Sequence, residues 1–388
     1  MRTALVALGL LAGCDKVFSL DTVRSDAAVP DVAIDTPRSD AGQTCIGGLY
    51  FLVCYAPDEV MGPITIFSNG SRTIDTTDDS SCSQTRNAAG EVPLCIDIVS
   101  SIDIAGTGTL RVTGPRPLVL AVDGDVLMSG TVDVGSHGGT GLAGAGADPM
   151  TCPPAVVGET QQAGTNHAGG GAGGSYVGNG GAGGSGETMI AQAQPAMGAP
   201  FVEGGCPGGT GGKGITGPGG AGGHGGGAIY LIAKGTMTIA GKVSASGQGG
   251  ASHSSTSSPG DFSGGGGGGA GGMIVLEANT LIIGTSAVLV ASGGGGGGGG
   301  NGTANGVGGG DGTIAGGAGG AGGAGSGTSF GGFGGSGSTV GDSSGRDGLA
   351  GGSFQGGGGG GGGGAGIIRL HGATLTNKSS QESPPPTP

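Results

Sequence analysis

Three aspartates are the best candidates for chemistry in this sequence, because they lie close together in a chain with few charged residues. Asp123 and Asp125 flank Gly124, and Asp133 follows on the same stretch. Glycoside hydrolysis needs two carboxylates about 5–10 Å apart. The pattern therefore admits a carbohydrate-active or carbohydrate-binding site. We favour the alternative, a tight turn, since Asp and Gly are typical turn residues.

Other patterns give little support for a metal site, a cofactor or a catalytic nucleophile. The segment Gly308–Ile314 resembles one copy of a glycine-rich calcium-binding repeat, but that motif works through stacked copies. The five histidines lack metalloprotease spacing, and the sequence contains no CxxC pair. We therefore expect no bound metal, no cofactor and no enzymatic activity.

One cysteine near the start of the sequence has the context of a lipid attachment site. Residues 1–3 form a short basic start through Arg2, and residues 4–12 form an apolar run that is too short to span a bilayer. Leu11-Ala12-Gly13-Cys14 then resembles the bacterial lipobox. We expect residues 1–13 to be a signal peptide. Cys14 would carry acyl chains such as palmitate, which hold the protein on a lipid bilayer.

The remaining cysteines indicate disulfides, since an even number in an exported chain is typical of an oxidising compartment. They are Cys45, Cys54, Cys82, Cys95, Cys152 and Cys206. Many pairings are possible, and we favour the sequential one: 45–54, 82–95 and 152–206. Its last bridge would close a glycine-rich segment whose loop entropy is otherwise costly.

The composition excludes several function classes. Glycine supplies 106 of the 388 residues, Trp is absent, and the formal net charge is −13. An acidic chain repels phosphate backbones and anionic lipids, so we expect no nucleic-acid partner. Glycine has no side chain to bury, so a conventional hydrophobic core cannot hold the whole chain.

The composition also divides the chain into parts. After the signal peptide we expect a lipidated Cys with an acidic disordered tether (14–42), a small disulfide-bearing β module (43–93), a glycine-rich β domain (94–377) and a disordered tail (378–388). This organisation predicts a bacterial cell-envelope protein, lipid-anchored in the outer membrane and surface-exposed. Asp15 leaves the leaflet open, because sorting rules differ between bacterial groups.

Short apolar strands recur through the glycine-rich part of the chain. Their centres form pairs 12 residues apart, at 98 and 110, 120 and 132, 231 and 243, and 276 and 288, with a last strand at 370. The first two units differ by 22 residues, about one coil of a parallel β-helix. We therefore predict an all-β fold: a short parallel β-helix, or β-solenoid, with glycine-rich insertions at about 137–226, 247–271 and 292–364. A β-sandwich with long loops is the alternative.

Three uninterrupted glycine tracts admit two interpretations. They are Gly264–Gly269, Gly293–Gly300 and Gly356–Gly364. They could be flexible linkers. They could instead form a polyglycine II bundle of left-handed helices with three residues per turn, which pair through their backbone groups. The sequence leaves both interpretations open.

As a whole, the chain resembles the glycine-rich surface lipoproteins of myxobacteria and related deltaproteobacteria. Besides the lipobox, tether and paired cysteines, the resemblance is carried by Arg116-Pro117-Leu118-Val119-Leu120, Val134-Gly135-Ser136-His137, Gly205-Cys206-Pro207-Gly208 and Gly223-His224-Gly225-Gly226-Gly227-Ala228. It covers nearly the full chain and implies a cell-surface location, but no chemistry. The tracts also resemble, in composition alone, the polyglycine II region of anaplastic lymphoma kinase family receptors.

We therefore expect a non-enzymatic cell-envelope lipoprotein with a structural or adhesive role. Its partners would be the bilayer, through acylated Cys14, and other cell-surface or matrix components. The alternative is a carbohydrate-active or carbohydrate-binding β-helix protein that uses Asp123, Asp125 and Asp133.

Overall fold

Nearly all regular structure in the protein is β-strand. The computed structural model describes residues 42–87, 92–139, 141–162, 167–252, 262–301, 305–314, 331–352, 356–377 and 381–387. In these ranges the only helices are two short 3₁₀ turns, at Pro57–Glu59 and Asp79–Ser81. Cys14 and residues 15–41 of the tether lie outside the described residues, as do residues 378–380 and 388 of the predicted disordered tail. The rest of that tail is described, and Gln381–Ser383 in it forms a strand.

The larger sheet has nine strands. They are β3 (Ile64–Ile66), β5 (Gln84–Arg86), β6 (Leu94–Val99), β7 (Ile102–Ile104), β9 (Leu118–Val122), β10 (Val126–Met128), β12 (Ala228–Ile239), β14 (Met273–Ile283) and β16 (Ile367–Asn377). Adjacent strands of this sheet run parallel to each other, except that β5 is antiparallel to β6. The long strand β12 pairs with both β9 and β10 and, on its other edge, with β14.

The smaller sheet has six parallel strands in the order β17-β15-β13-β11-β8-β4. They are β4 (Ser71–Asp75), β8 (Thr109–Thr113), β11 (Thr131–Asp133), β13 (Lys242–Ser244), β15 (Val288–Val290) and β17 (Gln381–Ser383). A separate antiparallel pair consists of β1 (Thr44–Gly47) and β2 (Leu52–Tyr55).

Alternating side chains explain why the larger sheet is apolar on both faces. In β9, Leu118 and Leu120 join a core cluster that also contains Leu110 and Val132 of the smaller sheet. Val119 between them points to a second cluster on the opposite face. Successive strand residues face opposite sides of a sheet, so a strand covered on both sides reads as a continuous apolar run.

The predicted short parallel β-helix with projecting glycine-rich insertions is wrong, although the chain is all-β. The strands lie in a mixed nine-stranded sheet, a six-stranded sheet and a separate antiparallel pair. The spacing of strand centres locates strands but specifies neither partner nor direction. β3, β4 and β5 come from residues assigned to the small module, but they also join these two sheets. Most described glycines of the insertions are buried, so these segments pack against one another.

The glycine-rich segments form what we call the glycine network, the described residues of 141–227, 245–272 and 291–366. Each segment leaves a strand of the smaller sheet and enters one of the larger sheet. Backbone hydrogen bonds connect the segments to one another at every third residue. The network therefore satisfies its backbone groups without regular strands.

Residues 264–272 show how this period works. Their N–H groups donate in turn to three neighbours, which are 206–212, 358–364 and 245–251, over 2.7–3.0 Å. Their carbonyls accept from three further neighbours, which are 220–226, 171–174 and 294–297. With a three-residue period, successive backbone groups point to different sides of the segment. Residues 264–272 are therefore hydrogen-bonded to neighbouring segments on every side.

The close approach of neighbouring backbones explains why these positions are occupied by glycine. A Cβ at Gly267 would lie 1.9 Å from the carbonyl oxygen of Ala172, and one at Gly360 would lie 2.0 Å from that of Gly266. Real Cβ atoms do not come this close to other heavy atoms. Any side chain at these positions must push two backbones apart.

Candidate functional site

Asp123 and Asp125 lie in the connection between β9 and β10, and the carboxylate of each accepts hydrogen bonds from neighbouring segments of the chain. Asp123 Oδ1 accepts hydrogen bonds from the Tyr55 hydroxyl and from Lys234 Nζ, each 2.8 Å long. The bond from Lys234, and then that from Tyr55, lowers the pKa of Asp123. Asp125 Oδ1 accepts from the N–H of Thr236 at 2.6 Å, where β12 shifts register. Both residues thus fix a bend, as the turn interpretation expects.

Asp133 lies elsewhere, on β11 of the smaller sheet, beside Arg111 of β8. Its Oδ2 is 3.0 Å from Arg111 Nη1 and 2.9 Å from His137 Nε2, and its Oδ1 accepts the N–H of Gly135. The three predicted aspartates therefore do not share a site. Asp123 and Asp125 adjoin the larger sheet, whereas Asp133 belongs to a separate ion cluster.

That ion cluster consists of Arg111, Asp133, His137 and Asp311. His137 Nδ1 lies 3.3 Å from Asp311 Oδ2, and Asp311 Oδ1 accepts the N–H of Gly249 at 3.0 Å. Hydrogen bonds with Asp133 and then Asp311 raise the pKa of His137 to about 9. Burial alone would raise the pKa of Asp133 and of Asp311. Hydrogen bonds with His137, backbone N–H groups and nearby positive charge together outweigh burial and lower both pKa values. The cluster ties segment 305–314 to the smaller sheet.

Asp311 belongs to the segment that resembles a calcium-binding repeat, and its carboxylate bonds to His137 and to backbone N–H groups of Gly138 and Gly249. Across the described ranges, no group of three His, Cys, Asp or Glu side chains is placed to hold a metal ion. The carboxylate thus has a positioning role in the fold.

The structure contains the three predicted disulfides, Cys45–Cys54, Cys82–Cys95 and Cys152–Cys206. Each closes a loop, and the three loops meet at a surface pocket that the sequence did not reveal. Its lining residues are Tyr50, Phe51, Arg86, Val92, Leu94, Pro200, Phe201 and Val202. All of them lie inside one of the three closed loops.

The pocket is aromatic, with a guanidinium at its wall. The Phe51 ring meets the Tyr230 ring edge-on at 5.7 Å, and the Arg86 guanidinium lies 4.3 Å above the Phe51 ring. Tyr50 contacts Tyr230 in the same way at 5.8 Å. The chain has only 12 Phe and Tyr residues among 388. The sequence feature that could have indicated the pocket is that several of these scarce aromatic residues lie between cysteines that form disulfides.

Part of the surface of the glycine network is apolar. Met189, Ile190, Phe333 and Leu349 are each roughly half exposed, at 47–62%. They lie on adjacent segments: Leu349 N–H donates to Phe333 O, and Gly183 N–H donates to Ala191 O, both at 2.8 Å. Segment 345–349 in turn bonds to 179–182. We call these four side chains the apolar row.

Comparison with protein-family models, with curated proteins and with solved structures finds no match. The resemblance to glycine-rich myxobacterial lipoproteins therefore stays a prediction. In the described ranges, the helices are too short to cross a bilayer.

Proposed function

We propose that this chain is a non-enzymatic lipoprotein of a bacterial cell envelope, anchored through Cys14, with a structural or adhesive role. The observation that carries the proposal is the glycine network. A large part of the chain is devoted to a body that is held by backbone hydrogen bonds and has few functional side chains.

The network suits a structural role because its stiffness does not depend on a hydrophobic core. Each net backbone hydrogen bond contributes only about 0.5–1.5 kcal/mol, but the bonds recur along every segment. His224 Nδ1 is bonded to Asp148 Oδ2 at 2.5 Å, and the ion cluster and the Cys152–Cys206 disulfide fasten further segments. Such a body is suited to presentation on the predicted tether, because it is held together by its own backbone groups.

The apolar row supports the adhesive part of the proposal. Exposed large apolar side chains that lie on neighbouring segments are typical of contact surfaces. The row belongs to the network and depends on its hydrogen bonds for its spacing. An adhesive role would therefore fail when the network is disrupted, even if the sheets stay folded.

The test is adhesion of cells that display the full chain, compared with cells that display Gly267→Val. Gly341→Val is the matched control, because no heavy atom lies within 4 Å of a Cβ at Gly341. We expect adhesion to matrix-coated surfaces to fall with Gly267→Val and to be unchanged with the control. Unchanged adhesion of a variant whose network exchanges its amide protons freely would refute the proposal.

A separate experiment addresses the anchor. Metabolic labelling with palmitate should mark the wild-type chain and leave Cys14→Ala unlabelled, because the thiol carries the acyl chain. Equal labelling of both proteins would contradict the lipobox interpretation.

A further inference from the structure

The pocket lies beside the second core cluster, and disulfides close each of the three loops that line it. Tyr50 and Phe51 lie in the loop closed by Cys45–Cys54, and Arg86 lies in the loop closed by Cys82–Cys95. Phe201 lies in the loop closed by Cys152–Cys206. Segments far apart in sequence thus meet at one point, each fixed by its own disulfide. Fixing a site before the ligand arrives reduces the ordering cost of binding.

The chemistry of the lining is mixed in a specific way. Three aromatic rings supply flat apolar surface, and Arg86 supplies a charged donor beside them. Small-molecule sites combine mostly apolar and aromatic walls with a few polar groups that orient the ligand. The cavity measures about 140 Å³ and opens to solvent, so it can take one six-membered ring while the ring's outer substituents stay outside.

Two tyrosines of the neighbouring core cluster carry hydroxyls close to the pocket. The hydroxyls of Tyr50 and Tyr176 are buried, and in the described part of the chain neither has a hydrogen-bond partner. Tyr50 also contacts the guanidinium of Arg369, whose carbon lies 5.1 Å from the ring centre. Buried hydroxyls are normally hydrogen-bonded, so Tyr50 offers a donor and acceptor at the pocket wall.

We propose that this pocket binds a terminal sugar residue of a glycan, and that the three disulfides preorganise it. A sugar ring presents C–H groups on its faces and hydroxyls at its rim. The faces can pack on the Phe51 and Phe201 rings, while the rim hydroxyls bond to Arg86 and to the Tyr50 hydroxyl. The proposal concerns residues other than Asp123, Asp125 and Asp133 and involves no reaction. Phe201 lies in segment 141–227 of the glycine network, but sugar binding does not require the adhesive role proposed for that network.

The test uses the purified full chain and ligand-observed saturation-transfer NMR. The probes are the methyl glycosides of glucose, galactose, mannose, N-acetylglucosamine and glucuronic acid, with phenol as an aromatic probe without a sugar rim. We expect at least one glycoside to bind in the millimolar range, which is typical of a single-ring site. If phenol binds and none of the glycosides does, the proposal is wrong.

Two variants locate the binding. Phe201→Ala removes a ring and should weaken binding about tenfold, whereas Tyr50→Phe keeps the ring and should weaken it about threefold, since only a hydroxyl is lost. Phe333→Ala is the matched control, because Phe333 is an exposed ring of the apolar row. Binding that Phe201→Ala leaves unchanged would overturn the proposal.

The cross-links are tested by reduction of the disulfides under native conditions. We expect sugar binding to be lost while amide protons of residues 264–272 stay protected. Binding that survives complete reduction would overturn the role given to the disulfides. Since adhesion is tested with Gly267→Val and sugar binding with Phe201→Ala, failure of one proposal is distinguishable from failure of the other.

Discussion

The two sheets and the glycine network achieve stability by opposite means. In the sheets, side chains such as Leu276 are fully buried in a cluster that both sheets share, and burial of apolar surface is the main contribution. In the network, the centres of segments are glycine, and the neighbours in contact are backbone groups. One region needs side chains of the right size, and the other needs none.

This difference predicts opposite responses to substitution. Shortening a side chain in the sheets leaves a cavity, whereas adding one in the network forces two backbones apart. The two responses can be measured separately by hydrogen exchange, because protection is a local property.

Gly267→Val should have the largest effect. Its Cβ alone would lie 1.9 Å from the Ala172 carbonyl oxygen, and relief requires the loss of several hydrogen bonds. We expect a loss of more than about 4 kcal/mol of local stability in the network. Hydrogen exchange of residues 264–272 measures it. Gly341→Val should behave as wild type, and equal exchange in both variants would contradict the packing argument.

Leu276→Ala should have the next largest effect, and in the other region. The side chain is fully buried in β14, so its removal should cost about 3 kcal/mol of the free energy of unfolding. Denaturant unfolding measures this loss. Leu127→Ala is the control, since Leu127 is a half-exposed leucine of β10. If Leu276→Ala increased hydrogen exchange in the glycine network before it did so in the sheets, the stabilities of the two regions would not be separable.

The ion cluster joins the two regions and should make their connection depend on pH. The pKa of His137 is raised from 6.5 to about 9, so its stabilising effect is complete below about pH 6.5 and is lost as the pH rises through about 9. Asp133 and Asp311 have lowered pKa values, so their effect is lost at acid pH instead. Arg111 is the remaining charge at the cluster.

We therefore expect exchange in residues 305–314, corrected for the intrinsic rate, to increase between about pH 7 and pH 10. The effect should stay under about 2 kcal/mol, because His137 is about a third exposed and solvent screens the pairs. His137→Gln should remove the pH dependence there. His224 pairs with Asp148 on another segment, so a pH response confined to that segment would contradict this assignment.

Sequence reasoning reached the strands and the disulfides but not the sheet partners. Leu118–Val122 and Ile274–Leu276 are apolar runs that local composition identifies, and they lie in β9 and β14. That β5 is antiparallel to β6 and that β3 and β4 join later strands depends on long-range pairing. Short runs with one preferred face do not encode the identity of the neighbour.

The candidate sites show the same limit. Asp123, Asp125 and Asp133 are near one another in sequence, but a sheet change separates Asp133 from the others. The pocket is lined by residues from distant segments, and its outermost members, Tyr50 and Val202, are about 150 positions apart. Proximity along a chain of this kind predicts turns, whereas sites arise where distant segments are tied together.

Asp123→Asn should have the smallest effect and separates the two interpretations of the aspartates. Asp123 and Lys234 are both more than a third exposed, so their ion pair should contribute less than about 1 kcal/mol to the free energy of unfolding. The amide of Asn can still accept the Tyr55 hydrogen bond, so the bend should persist. Denaturant unfolding of Asp123→Asn, Lys234→Met and the double variant measures the coupling between the two residues. A coupling free energy near zero would mean that this ion pair stabilises neither the sheets nor the glycine network. The turn interpretation would be wrong if the wild-type protein hydrolysed a polysaccharide and Asp123→Asn, at unchanged stability, did not. The carboxylate would then be catalytic.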